Sequence, residues 1–80
     1  MEQTGILVVD DDKEIAELVE IHLAADGFRV WKAYNAKDGL RLLETEKIKL
    51  AILDIMMPGM DGIELCQRIR EKSNIPIIML

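Results

Sequence analysis

Apolar residues fall along the chain in two patterns. Ile6-Leu7-Val8-Val9 is an unbroken run ended by carboxylates, and Leu50-Ala51-Ile52-Leu53 before Asp54 repeats the design. Short runs without polar alternation predict strands buried on both faces, as in a parallel sheet covered by helices. Phe28-Arg29-Val30-Trp31-Lys32-Ala33 is interrupted by charges, which predicts a strand at a sheet edge with one side near water. A fourth run, Ile77-Ile78-Met79-Leu80, is entered through Pro76, tolerated where a strand begins because its missing N–H is not needed there.

Between these runs the spacing is helical. Ile15, Leu18, Val19, His22 and Leu23 predict the buried stripe of a first helix, with His22 a partly buried structural residue. Ala36, Leu40 and Leu43 do the same for a second helix, and Gly62, Leu65, Cys66 and Ile69 for a third. Asp12, Asn35 and Asp61 stand where N-cap oxygens are wanted, and Gly27 occupies a C-cap position after the first helix. The order β-α-β-α-β-α-β with short connections predicts an α/β fold: a parallel sheet with right-handed crossovers and helices on both faces. No repeat, low-complexity tract or linker divides the 80 residues.

Composition narrows the function classes. Half of the residues are apolar and 31% are charged, as in an ordinary globular domain. Fifteen acidic residues against ten basic ones give a net charge of −5, so this segment lacks the basic footprint that attracts nucleic acid. The single cysteine, Cys66, has no internal disulfide partner and falls in a helical apolar pattern, which fits a small core residue and a reducing, cytoplasmic setting. The start MEQTGILVVDDD has no basic leader and no apolar run approaches a membrane span, so no membrane role is expected.

The chemistry concentrates at strand ends. Asp10, Asp11 and Asp12 follow the first strand and Asp54 follows the third. In parallel α/β sheets the functional crevice lies beyond the carboxyl ends of the strands. If these two strands are neighbours, about 4.8 Å apart, at least two carboxylates converge, and like charges at about 5 Å repel by roughly 3 kcal/mol per pair at an effective dielectric near 20. A cation would offset that repulsion. Mg²⁺ suits a site of one or two carboxylates with a phosphate, and a carboxylate beside it could accept a phosphoryl group, giving an acyl phosphate on Asp54. Asp12 is read as a helix cap; Asp10 and Asp11 are read as metal ligands, with turn residues the plain alternative. Met56, Met57 and Met60 are read as flexible apolar fillers around the loop.

ILVVDDD before a helix, then LAILDIMMPGMDGIEL, then IPIIML, resembles the response-regulator receiver domain of two-component systems at every element from Ile6 to Leu80. The resemblance is to the OmpR/PhoB class, including vancomycin-resistance-type regulators. It implies a flavodoxin-like fold with strand order 2-1-3-4, phosphorylation of Asp54, direct Mg²⁺ ligation by Asp11, Asp54 and the Met56 backbone carbonyl, and a contribution from Asp10 through water. Pro58 and Gly59 match the turn leaving the site, and Asp61-Gly62 opens the next helix. The implied partner is a sensor histidine kinase, with DNA bound only through a C-terminal domain outside these residues; the domain itself is regulatory rather than an enzyme.

Receivers place a Ser or Thr just after the fourth strand and a Lys after the fifth, and residues 1–80 run only to Leu80, so they are expected to form the N-terminal two-thirds of a receiver. Two expectations follow: the Ile77 to Leu80 edge self-associates or leaves the fragment partly folded, and Mg²⁺ binding partly survives while phosphorylation is slow or lost. Two rival functions are a passive dimerisation or binding module and an Asp-x-Asp phosphatase. Asp10-Asp11-Asp12 satisfies the bare phosphatase pattern, but Lys13-Glu14-Ile15 departs from its continuation and the pattern leaves Asp54 and MMPGMDG unexplained.

Overall fold

The computed structural model describes residues 3–80; the absence of a basic leader was read in part from Met1 and Glu2, which lie outside them. The elements are β1 (Gly5–Val9), α1 (Lys13–Ala25), β2 (Arg29–Ala33), α2 (Ala36–Thr45), β3 (Leu50–Leu53), α3 (Gly62–Arg70) and β4 (Ile77–Met79). The strands form one parallel sheet in the order β2-β1-β3-β4. The two unbroken apolar runs are its central strands, because only central strands meet helices on both faces. The charge-interrupted strand takes one edge, as its pattern predicted.

Alternation along the strands sorts the core into two layers. Leu7, Val9, Ala51 and Leu53 point to the face covered by α2 and α3, where they meet Ala36, Leu65 and Ile69. Ile6, Val8 and Ile52 point to the opposite face and pack with Ala16 of α1. The three predicted N-caps all form: Asp12 accepts from the Glu14 and Ile15 N–H groups, Asn35 from Asp38 at 2.8 Å, and Asp61 from Glu64 at 2.9 Å. Gly27 follows the α1 C-cap Asp26 with φ +92, a left-handed conformation that glycine adopts without a Cβ penalty.

The buried stripe of α1 differs from the expected one. Ala16 is fully buried and Val19 and Leu23 are half-buried, whereas Ile15, Leu18 and Ile21 are 45%, 56% and 63% exposed. His22 is exposed rather than partly buried. Val19 and Leu23 belong to the expected stripe and do face the core, so the buried arc is that stripe rotated: Ala16 joins it, and Ile15, Leu18 and His22 leave it. The helix is apolar on both arcs, so periodicity fits either one. The small Ala16 allows α1 to approach the sheet closely, and that selects the face.

Smaller differences lie at strand ends. Phe28 precedes β2 and packs half-buried beside the α1 layer, and Leu80 follows β4. Lys72 pairs with Glu44, joining the turn after α3 to the end of α2. Arg70 donates to Ile75 O at 2.6 Å, holding the connection that leads into β4. Because Asp61 caps the helix that closes the functional loop, Asp61→Ala should lower stability by about 1 kcal/mol, seen as a lower urea midpoint; an unchanged midpoint would show that the cap contributes nothing.

Candidate functional site

β1 and β3 run in register with Val9 opposite Leu53, so Asp10 and Asp54 leave the sheet at the same level. Backbone bonds fix both departures: Asp54 N–H donates to Val9 O at 2.9 Å and Asp10 N–H to Ala33 O at 3.0 Å. One carboxylate oxygen from each of Asp10, Asp11 and Asp54 lies within 4.8 Å of the others. Asp10 is buried at 6% exposure, Asp54 is half-buried and Asp11 is exposed, so the cluster opens to solvent on the Asp11 side. The strand-end acids therefore meet as the sequence suggested.

The surrounding backbone orients two of these carboxylates. Asp12 N–H donates to Asp10 Oδ1 at 2.9 Å, and Met56 N–H donates to Asp54 Oδ1 at 3.1 Å. Asp12 itself caps α1 and stands outside the cluster, as do His22 and Cys66. Cys66 packs half-buried against the core. The methionines divide by position: Met56 is 81% exposed at the loop surface, whereas Met57 is buried and anchors the loop in the core. The sequence alone groups them as flexible fillers, because two adjacent methionines in a loop carry no periodic signal.

Burial raises the Asp10 pKa above its ordinary 3.8, and the neighbouring Asp54 and Asp11 carboxylates raise it further; the Asp12 N–H opposes them by stabilising the anion. The folded metal-free protein thus holds this proton more tightly than the unfolded chain. The associated stability is complete below 3.8 and is lost as pH rises through the folded pKa. Urea melts in EDTA should show Asp10→Asn removing that downward slope; an identical slope in wild type and variant would contradict the assignment.

Three hard oxygen donors gathered in one pocket, with no soft ligand among them, form a donor set suited to a small divalent cation such as Mg²⁺. Residues 6–80 match the family of the response regulator receiver domain.

The chain belongs to that family.

It is 52% identical over 75 residues to the regulatory protein VanR of Enterococcus faecium, an alignment covering 94% of this chain and 32% of that protein. The resemblance to vancomycin-resistance-type regulators is thus borne out within the receiver. Among solved structures, the chemotaxis protein CheY4 of Vibrio cholerae superimposes with a TM-score of 0.94 at 28% identity, over 98% of this receiver and 68% of that chain. TrrA of Thermotoga maritima, solved with Mg²⁺-BeF, gives a TM-score of 0.90 at 37% identity, over 96% of this chain and 68% of that one. TrrA has also been solved in complex with the histidine kinase ThkA; that structure gives a TM-score of 0.89 at 37% identity, over 96% of this chain and 67% of that one. These neighbours bear out the flavodoxin-like strand order, and the chain spans about a third of VanR's length.

Proposed function

We propose that Asp54 accepts a phosphoryl group from a sensor histidine kinase in a Mg²⁺-dependent reaction. The observation that carries this reading is the cluster of Asp10, Asp11 and Asp54 carboxylates at adjacent strand ends. Asp11, Asp54 and the Met56 backbone carbonyl would hold Mg²⁺ directly, with Asp10 contributing through water. The bound ion would neutralise negative charge on the carboxylates and on the incoming phosphoryl oxygens. The chain's own residues do the positioning. Met56 N–H fixes Asp54 Oδ1, leaving the other carboxylate oxygen to form the new O–P bond as the bond from phosphorus to the kinase histidine nitrogen breaks.

The kinase partner is supported by the ThkA complex of TrrA, and Mg²⁺ by the Mg²⁺-BeF form of the same relative. In the intact protein, residues 1–80 would be the N-terminal two-thirds of a receiver in a cytoplasmic transcription regulator, with DNA contacted by a separate C-terminal domain; similarity to the regulatory protein VanR supports this. No helix among the described residues is long and apolar enough to cross a membrane. The engagement of Asp12 as a helix cap counts against an Asp-x-Asp phosphatase, whose second acid would have to face the substrate.

The test is mass spectrometry after incubation with Mg²⁺ and phosphoramidate. Slow accumulation of one hydroxylamine-labile phosphoryl group on the Asp54 peptide, prevented by EDTA, is the expected result. No adduct, together with no change in Trp31 fluorescence on adding Mg²⁺ and beryllofluoride, would favour the passive binding module instead. The same 80-residue protein should self-associate through β4, which pairs with β3 on one side and leaves Ile78 46% and Leu80 60% exposed. Sedimentation showing a monomer at all concentrations would contradict that expectation.

A further inference from the structure

Gly62, the first residue of α3, lies directly against the backbone of Asp54. A Cβ at this position would overlap the Asp54 carbonyl oxygen and stand 2.9 Å from both the Asp54 carbonyl carbon and Ile55 Cα. Gly62 N–H also donates to Ile55 O at 3.0 Å, so the start of α3 is bonded to the Ile55–Met56 peptide, whose N–H holds Asp54 Oδ1. Gly27 and Gly59 are the glycines with positive φ; Gly62 is not among them. Glycine is therefore required here by space and not by backbone conformation, although alanine is the better helix former. The obstacle is backbone, which cannot rotate aside. At Gly5 a Cβ would likewise overlap a backbone oxygen, that of Lys47, but at the opposite end of β1 from the acids.

We infer that Gly62 is a positioning residue for Asp54. By lacking a side chain it lets the N-terminus of α3 close on the Asp54–Ile55 peptide and hold the carboxylate beside Asp10 and Asp11. This inference rests on the proposed phosphoacceptor reading. A side chain at Gly62 would push the Asp54 carbonyl outward and turn the following peptides. That movement separates Met56 N–H from Asp54 Oδ1, now 3.1 Å apart, and moves the acid relative to its two partners. A small divalent ion tolerates such displacement poorly because it demands near-ideal octahedral geometry.

Isothermal titration with Mg²⁺ on wild type, Gly62→Ala and Gly5→Ala, each with its urea-unfolding free energy measured, tests the inference. Folded Gly62→Ala should bind Mg²⁺ about tenfold or more weakly, the size of effect seen when the support of a metal ligand is removed. Gly5→Ala should keep wild-type affinity even if it loses as much stability, which a merely structural role for Gly62 would not predict. Wild-type affinity in folded Gly62→Ala overturns the inference. No Mg²⁺ binding by the wild type overturns the phosphoacceptor reading and the inference with it. Should Gly62→Ala not fold, amide exchange in the wild type decides: Mg²⁺ slows exchange of the Gly62 N–H if α3 is coupled to Asp54, and an unchanged rate overturns the coupling.

Discussion

Asp54→Asn is expected to abolish phosphoryl uptake and, in the same protein, to raise the stability of the metal-free fold. The substitution removes the nucleophilic carboxylate but keeps an oxygen that can accept the Met56 N–H, so local geometry survives. It also removes one of three negative charges within 4.8 Å of one another. Repulsion at that distance is roughly 3 kcal/mol per pair at an effective dielectric near 20. Asp11 is exposed and Asp54 half-buried, so solvent and salt reduce the relief to about 1 kcal/mol. Urea unfolding in EDTA should therefore show a higher midpoint for the variant, while Mg²⁺ stabilises the wild type and not the variant. A variant less stable than wild type in EDTA, or one still labelled at this position, would contradict the reading of these acids as a functional site held at a cost in stability.

The second large effect lies in the core beneath the site. Leu53 is fully buried between β1 and β4, with Val9 opposite on one side and Met79 on the other. Leu53→Ala should cost about 2–5 kcal/mol, against a total of roughly 4–12 kcal/mol for a domain of this length. The following residue is Asp54, so Mg²⁺ binding should weaken along with the fold. Leu18→Ala is the informative comparison. Leu18 is 56% exposed, and its truncation should change stability by no more than about 0.5 kcal/mol. Equal losses for the two variants in urea unfolding would show that α1 packs on the arc first expected from its sequence.

That contrast shows which parts of the molecule were legible in its residues. β1 and β3 were readable because an unbroken apolar run bounded by acids has few other uses, and the helix starts were readable because Asp12, Asn35 and Asp61 satisfy N–H groups locally. Local causes leave local signatures. The orientation of α1 was readable only in part: Val19 and Leu23 do face the core, but Ile15 and Leu18 beside them are apolar too, and only contact with the sheet buries Ala16 instead of them. The convergence of Asp10 with Asp54 followed once their strands were taken as neighbours. The depth of Asp10 did not follow, because it depends on the Ala33 carbonyl from β2 and on the Asp12 N–H closing over its carboxylate. Gly62 read as one position on a helix face; the contact with Asp54 O is made across a loop and leaves no trace in spacing.

NMR with Mn²⁺ substituted for Mg²⁺ tests most directly whether Asp11 and Asp54 hold one ion between them. At substoichiometric Mn²⁺ the amide signals around Asp11 and those around Asp54 should broaden together, before any others, and excess Mg²⁺ should restore both. Broadening at only one of the two strand ends, or scattered over the acidic surface and indifferent to Mg²⁺, would contradict a shared ion and the signalling chemistry that depends on it.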